Sequence, residues 1–391
     1  PCDPASELTR RQELQSQLRS LVTEQSRLQN VEAMRKAIRQ QRMKESRERR
    51  AANKQRRLEE RAQRRRQWQQ RQQREITYLG EGVSAGLGET TANDEALQRN
   101  RLPALPDVET LAQAMRISVG ELRFLAYARR TSTLTHYQRF KLPKKTGGER
   151  LISAPMPRLK RAQRWILDNI LNLVEVHEAA HGFRAGRSIV TNAQPHIQAD
   201  VVVNLDLEDF FPTVTYRRIK GVFRQFGYSE AIATVLALLC SEPETDTVRL
   251  DGQTYHVAQG ERFLPQGAPT SPAITNIICR GLDTRLNGLA KSLGFIYTRY
   301  ADDLTYSGGE EVKENVGRLL RRTKFIVADE NFRVHPKKTR IFRKGRRQEV
   351  TGLVVNERVN VSRKTLRNFR ATLFQIERDG PAGKRWASGG N

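Results

Sequence analysis

Two separated stretches of the sequence place acidic side chains where buried strands would deliver them. The run Val201-Val-Val-Asn-Leu-Asp206 is β-branched and ends in an acid, and a buried strand gives a functional carboxylate a rigid scaffold. Further along, aromatic and β-branched residues flank Asp302 and Asp303, which predicts a β-hairpin with the acid pair at its tip. Carboxylates held together among aromatic residues repel each other, so this arrangement favours a bound cation.

The ligand atoms that these acids offer indicate which cation the site would bind. They offer oxygen alone, and no His or Cys stands beside them in the sequence, which favours Mg²⁺ over zinc. Two Mg²⁺ ions about 4 Å apart could clamp the attacking and leaving oxygens of an in-line phosphoryl transfer. An Asp-Asp pair in a turn is by itself usually only solvated. The second strand that ends in an acid is what favours the catalytic interpretation.

A loop rich in Gly and Pro, Leu264-Pro-Gln-Gly-Ala-Pro-Thr-Ser-Pro272, lies between the two acid sites. Gly267 lets backbone approach a ligand closely, and Gln266 supplies both a donor and an acceptor. Thr270 or Ser271 could cap the helix that we expect over residues 273–289. The loop is therefore a second predicted part of the site.

Composition points to a nucleic-acid partner. The 391 residues include 69 Lys or Arg and 43 Asp or Glu, a formal net charge of +26, which would self-repel without a polyanion. The longest apolar run, residues 231–240, is about half of the roughly 20 residues that span a bilayer, so no membrane is expected. Cys2, Cys240 and Cys279 are far apart and show no metal-ligand spacing, which makes a zinc site or a disulfide framework unexpected.

The N-terminal region, residues 1–79, reads as a basic helical extension. The first Gly is Gly80, and no Pro occurs between Pro4 and Pro103, which predicts one long helix or two. Apolar residues at heptad-like spacing allow a coiled coil: Leu14, Leu18, Leu21, Leu28, Val31 and Ile38. Two interpretations stay open, a solvated helix or one that lies on phosphates or docks a partner protein.

The rest of the chain divides by composition. Residues 80–106 are rich in Gly and Pro and predict a linker. Two short helices are expected next, over residues 108–116 and 119–128. Near the end, Ser362 predicts the cap of an amphipathic helix. Its apolar face would carry Leu366, Phe369, Leu373 and Ile376, and its basic face Arg363, Lys364, Arg367 and Arg370.

Taken together, these motifs resemble those of reverse transcriptases. Asp206 with Phe210-Phe211 resembles motif A, Leu264-Pro-Gln-Gly267 motif B and Tyr300-Ala-Asp-Asp303 motif C. This resemblance covers roughly residues 107–378, and the narrower resemblance is to bacterial retron reverse transcriptases. It rests on Asn192-Ala-Gln-Pro-His196 and Val350-Thr-Gly352, with support from the segments at residues 150–155 and 181–188. The chain departs from the common form in its long N-terminal arm and in the 39 residues that follow Gly352.

The resemblance implies an α+β fold, a right-hand polymerase preceded by the basic extension. Fingers with N-terminal helices would occupy residues 107–197, the palm 198–349, and a primer-grip hairpin with the start of the thumb 350–391. Asp206, Asp302 and Asp303 would be catalytic and would hold two Mg²⁺ ions. Phe211 would exclude a ribose 2′-OH. The alternative is that Phe211 only packs in the core and that Phe210 or Tyr216 is the gate.

Nucleotide-binding residues are likewise implied by the resemblance. Gln266 and Gly267 would line the incoming dNTP, and Arg150 and Lys160 would contact its triphosphate. Lys337 or Lys338, in a segment that resembles motif D, would neutralise or protonate the pyrophosphate; the alternative is a solvated pair.

Nucleic-acid contacts are also implied. His196 is assigned to them on the family motif, although a lone His is more often structural, and Ser188 is expected to cap the helix that Pro195 ends. The full set of RNA- or DNA-binding residues predicted is Asn192, His196, Arg184, Arg187, Val350, Thr351, Gly352, Arg363, Lys364, Arg367 and Arg370.

The resemblance further implies a function in the bacterial cytoplasm. The enzyme would bind a cognate non-coding RNA and copy part of it into DNA from the 2′-OH of a guanosine, giving multicopy single-stranded DNA (msDNA). An antiphage role would follow, with the N-terminal arm docking an effector protein or organising oligomers. The alternatives are a group II intron or diversity-generating type of reverse transcriptase, and a non-catalytic RNA-binding scaffold with the same fold.

Overall fold

A computed structural model describes residues 4–143 and 148–382. The chain divides into two compact units, residues 1–72 and 73–391. Cys2 and the last nine residues of the predicted thumb segment lie outside the described residues.

The N-terminal unit is helical. Helix α1 spans Pro4–Gln29 and α2 spans Val31–Arg74, with Asn30 between them, whose side-chain oxygen accepts from the backbone N–H of Ala33 at 3.3 Å. Of the two arrangements that the sequence allowed, the two-helix one is confirmed. The side chains at the heptad-like positions are exposed, and coiled-coil pairing stays a prediction.

The second unit alternates short helices with strands. Its helices are α3 Asp94–Arg99, α4 Val108–Ala114, α5 Val119–Ala126, α6 Pro157–Asn169, α7 Ile189–Ala193, α8 Tyr216–Gln225, α9 Glu230–Cys240, α10 Ser271–Ile278, α11 Arg280–Ser292, α12 Val316–Asp329 and α13 Arg363–Asp379. Its strands are β1 Thr131–Ser132, β2 Tyr137–Pro143, β3 Glu149–Pro155, β4 Val201–Asp206, β5 Glu242–Leu250, β6 Gln253–Phe263, β7 Ile296–Tyr300, β8 Asp303–Gly308, β9 Arg340–Arg343, β10 Glu349–Val350 and β11 Leu353–Val354.

A four-stranded antiparallel sheet in the order β7-β8-β4-β9 carries the predicted acids. Val201, Val202 and Val203 in the central strand β4 are all buried, because both faces of the sheet are covered. On one face, α11 and α12 pack, and the hydroxyl of Thr323 donates to that of Tyr306 at 3.2 Å. The other face of β8 carries Asp303 and alternate residues beyond it.

Two further hairpins flank this sheet. Strands β2 and β3 pair directly, and β6 pairs with both β5 and β1. The apolar run in residues 231–240 forms α9, whose side chains after Glu230 are all buried. It is a core helix. Within the described ranges, no helix is long and apolar enough to span a bilayer.

The segment 80–106 is not the free linker that the sequence predicted. Leu87, Leu97, Leu102 and Leu105 are buried in the main core, and α3 is capped by the Asn93 side chain. Because these leucines pack in the main core, the Gly and Pro residues of the segment mark turns within a packed region. The boundary between the two units accordingly falls near residue 72.

Two helix predictions also need correction. Residues 273–289 form two helices separated at Cys279. Helix α13 begins after the Ser362 cap as predicted, but its apolar face is not buried among the described residues. On that face, Phe369 is 40% exposed and Leu373 47%.

Candidate active site

The fold brings the acidic residues of the two motifs together. Asp206, at the end of β4, is the register partner of Asp303, at the start of β8, and directly opposed residues of an antiparallel pair lie about 5 Å apart. Asp302 occupies the β7–β8 turn, and its carbonyl oxygen accepts from the Leu207 N–H at 2.9 Å. Both the predicted strand and the predicted hairpin are observed.

Burial and mutual repulsion raise the pKa of two of the three carboxyl groups. Burial, and then the neighbouring carboxylates of Asp302 and Asp206, raise the pKa of Asp303 to about 7. Burial and the Asp206 carboxylate raise the pKa of Asp302, against which Lys338 and Arg150 act. These raised values indicate that the cluster needs additional positive charge to be fully ionised.

The donor set fits a hard divalent cation. Carboxylate oxygens suit Mg²⁺, which is usually held by one or two carboxylates together with substrate phosphates and water. In the part of the chain that the structure describes, no three His, Cys, Asp or Glu side chains already form a metal cage. Carboxylates of this kind suit ions whose coordination is completed by a bound nucleotide and water.

One of the two motif D lysines reaches the acids. The Lys338 ammonium donates to Asp206 Oδ1 at 2.8 Å, and the Asp206 side chain is 15% exposed. The backbone N–H of His335 donates to the Asp206 carbonyl oxygen at 2.7 Å, which ties this segment to β4. Lys337 is exposed; its backbone N–H donates to His335 Nδ1 at 3.2 Å. The structure thus singles out Lys338.

The motif B loop is anchored to the hairpin β2–β3. The Ser153 N–H donates to the Gln266 carbonyl oxygen at 2.8 Å. Gly267 has φ +126°, and a Cβ there would lie 2.9 Å from the Ser153 carbonyl oxygen. Neither predicted side-chain cap forms: Thr270, at the N-cap position, makes no cap bond, and the Ser271 hydroxyl donates to the Pro265 carbonyl oxygen at 2.6 Å.

Three aromatic residues were possible nucleotide gates. Phe210 and Tyr216 are 4% and 8% exposed and belong to the core. Phe211 is half-buried, and its ring centroid lies 5.5 Å from that of Phe210 and 6.4 Å from that of Phe183. Among the three, Phe211 is the one with an accessible ring surface.

Direct nucleic-acid contact by Asn192, His196 and the Val350 side chain is not what the structure shows. All three are fully buried. His196 bonds the hydroxyls of Ser307 and Thr298 at 2.6 and 2.8 Å, and burial lowers its pKa to about 3. The motif packs α7 against the catalytic sheet, and the expected Ser188 cap of α7 is present.

The other predicted binding residues keep accessible surface. In the β10–β11 turn, Thr351 is half-buried and Gly352 exposed. Arg184 is half-buried and donates to the His177 carbonyl oxygen at 3.4 Å. The exposed ones are Arg150, Lys160, Arg187, Arg363, Lys364, Arg367 and Arg370.

A buried network beside the acids was not predicted from the sequence. Arg299 and Asp283 are both 0% exposed and pair through two bonds, Nε to Oδ1 at 2.8 Å and Nη2 to Oδ2 at 2.7 Å. Arg299 Nη1 donates to Asn276 Oδ1 at 3.1 Å and to the Ala301 carbonyl oxygen at 3.0 Å. Ala301 precedes the acid pair and has φ +56°, so the network holds the turn that carries Asp302 and Asp303.

In this antiparallel sheet, an acid at the end of one strand faces an acid pair at a hairpin tip, and a glycine loop lies beside them. This arrangement defines the palm of a reverse-transcriptase-type polymerase. A family model described as reverse transcriptase (RNA-dependent DNA polymerase) matches residues 142–359. The retron Mx162 reverse transcriptase of Myxococcus xanthus is 46% identical over 326 residues, 78% of this chain and 67% of that protein. The retron Ec86 reverse transcriptase of Escherichia coli is 36% identical over 291 residues, 73% and 82% of the two chains.

The chain belongs to the retron reverse transcriptases. It spans about two thirds of the length of the Myxococcus relatives. Among solved structures, a telomerase from Candida albicans matches with a TM-score of 0.42 and 12% identity, over 62% of this chain and 50% of that one. The predicted α+β right-hand polymerase class with an N-terminal helical extension is confirmed. Reverse transcriptases generally use divalent metal ions.

Proposed function

We propose that this chain copies part of a cognate structured non-coding RNA into single-stranded DNA. The observation that carries the proposal is the placement of Asp206 directly opposite Asp303, with Asp302 on the adjoining turn. Family membership supports RNA as the template and dNTPs as the substrates. By the same kinship, synthesis starts from a guanosine 2′-OH of that RNA and yields msDNA, in the bacterial cytoplasm where the RNA is made.

The three aspartates are proposed to hold two Mg²⁺ ions. When bound, such ions activate the attacking hydroxyl and stabilise the charge that develops on the transferred phosphoryl group. Lys338 neutralises the Asp206 carboxylate in the free protein. With nucleotide in place, its ammonium would exchange that partner for the leaving pyrophosphate or would protonate it.

The incoming nucleotide would be selected by shape. The accessible ring surface of Phe211 conflicts with a ribose 2′-OH, which favours dNTPs over NTPs. Gly267 lets the loop pack closely on the β2–β3 hairpin, where a Cβ would lie 2.9 Å from the Ser153 carbonyl oxygen. Backbone at Gly267 and the amide of Gln266 would then line the nucleotide. Arg150 and Lys160 are the proposed contacts of the triphosphate; the support for Arg150 is that its charge acts on Asp302.

Exposed basic residues would hold the RNA and the growing hybrid. The basic residues of α13, together with Arg184 and Arg187, would contact phosphates. The accessible Thr351-Gly352 turn would be a further contact of the RNA. An A-form hybrid is bound through its shape and backbone, so this binding should weaken steeply with salt.

At the level of the cell, we propose an antiphage role in which α1 and α2 dock an effector protein or organise oligomers. The support is the retron kinship, the exposed surface of both helices and the basic composition of α2. Deletion of residues 1–72 should then change assembly size or RNA affinity while templated synthesis persists. If neither changes, this role for the arm is wrong.

The central test is to purify the full chain from cells that express its retron and to sequence the bound nucleic acid, with and without debranching enzyme. We expect a single RNA species joined to a DNA copy that debranching releases. Asp303→Asn protein should carry the RNA without DNA. RNA–DNA of unchanged amount in that variant, or DNA with an ordinary 5′ end, would contradict the proposal.

A further inference from the structure

An exposed aromatic residue stands beside the acids without an assigned role. The Phe183 side chain is 54% exposed, and its backbone has φ +57°. A bulky residue rarely adopts this left-handed conformation, and such residues concentrate at functional sites where the surroundings impose them.

The surroundings of Phe183 fix its backbone to the catalytic hairpin. The N–H of His181 donates to the Arg299 carbonyl oxygen at 2.8 Å, and the Asn276 amide donates to the Gly182 carbonyl oxygen at 2.8 Å. A Cβ on Gly182 would lie 2.5 Å from the backbone nitrogen of Ala301. The segment before Phe183 is therefore held by the same buried network that holds the Asp302–Asp303 turn.

The ring of Phe183 faces two residues of the site. Its centroid is 6.4 Å from that of Phe211 and 6.4 Å from that of Tyr300. Phe211 in turn contacts the buried ring of Phe210. Phe211 thus lies against a buried core ring, Phe210, and against the exposed ring of Phe183.

We propose that Phe183 is a positioning residue that sets the orientation of Phe211 and thereby the discrimination between deoxyribo- and ribonucleoside triphosphates. This inference rests on the proposed role of Phe211 as the gate. Without the Phe183 ring, Phe211 is free to rotate on its solvent side, and a ribose 2′-OH meets less resistance. Aromatic pairs at this centroid distance stabilise each other beyond the area that they bury. If that stabilisation holds Phe211 in place, its loss should change the selectivity about 3- to 10-fold.

The test is single-nucleotide incorporation on an RNA template with a DNA primer, comparing dGTP with GTP for the full-length protein. Phe183→Ala should lower the ratio of the two kcat/KM values about 3- to 10-fold, chiefly through a lower KM for GTP. Phe183→Tyr should restore the ratio. Phe325→Ala is the matched control, because Phe325 lies on α12 and is 63% exposed; it should leave the ratio unchanged.

The variant Phe211→Val separates this inference from the proposed function. We expect Phe211→Val to lower the ratio further than Phe183→Ala, and the double variant to match Phe211→Val alone, because Phe183 acts through Phe211. An unchanged ratio in Phe183→Ala, or a double variant in which the two effects multiply, overturns the positioning role while templated synthesis stands. A wild-type protein that adds no dGTP refutes the proposed function itself.

Discussion

Replacement of the buried pair Asp283–Arg299 separates its contribution to stability from its contribution to the site. We consider Arg299→Met and Asp283→Leu, singly and together. Either single change leaves an uncompensated charge at a position that is 0% exposed, which typically costs about 3–5 kcal/mol. The urea midpoint of each single variant should fall accordingly.

The double variant should recover much of that loss, since exchange of a buried ion pair for apolar residues of similar volume is often neutral or stabilising. Recovery should be incomplete because the Tyr297 hydroxyl donates to Asp283 Oδ1 at 2.9 Å and would lose its acceptor. We therefore expect the double variant to unfold about 1–3 kcal/mol more easily than the wild type, the usual cost of an unsatisfied buried polar group.

Activity should not recover with stability. Arg299 Nη1 holds the Ala301 carbonyl oxygen at 3.0 Å, and methionine cannot donate that bond in Arg299→Met or in the double variant. Loss of a bond in this range slows a reaction about tenfold when the geometry of the reacting groups depends on it. The assay is single-turnover dNTP incorporation at a temperature where the double variant is fully folded. Recovery of the wild-type rate by the double variant would show that the network only stabilises the fold.

Three further predictions concern other parts of the site. In EDTA, Asp303→Asn should have a higher melting temperature than the wild type at pH 8, and the difference should be smaller at pH 5. The reason is that the pKa of Asp303 is raised to about 7, so its ionisation destabilises the fold as pH rises. Equal differences at the two pH values in scanning fluorimetry would contradict this. Gly267→Ala should lower the free energy of unfolding by about 1–3 kcal/mol, since its φ is +126° and a Cβ would lie 2.9 Å from the Ser153 carbonyl oxygen. The same change should raise the KM for dNTPs. An unchanged KM and an unchanged urea midpoint would refute the close packing. His196→Ala should lower the free energy of unfolding by about 2–4 kcal/mol with little effect on RNA affinity in filter binding, and the reverse pattern would restore a contact role.

The parts of the fold that the sequence predicted are those set by local pattern. The β-branched run before Asp206 and the aromatic alternation around Asp302 and Asp303 predict strands, because side-chain period and burial agree there. The caps at Ser188 and Ser362 follow from one hydroxyl and its position. Strands β5 and β6 were not predicted, since their residues are largely polar and exposed.

Tertiary contacts account for what the sequence could not predict. Arg299 lies within the motif C strand, yet its partner Asp283 is 16 residues away on a helix, and no spacing rule connects them. Phe183 lies in the segment 181–188, which supported the family resemblance without giving this residue a role. Its position against Phe211 appears only in the fold. The roles of His196 and Asn192 were assigned from a family motif, and burial, which a motif does not encode, decides against direct contact.

The most direct test of the account is the rate of one dNTP addition to a DNA primer on an RNA template with Mg²⁺, measured for Asn substitutions of Asp206, Asp302 and Asp303. We expect a fall of at least about a hundredfold for each, because metal stabilisation of the transition state is typically several kcal/mol. Asp251→Asn, in the exposed turn between β5 and β6, should keep the wild-type rate. A rate within about twofold of wild type for any of the three would contradict the assignment of that aspartate to the catalytic centre.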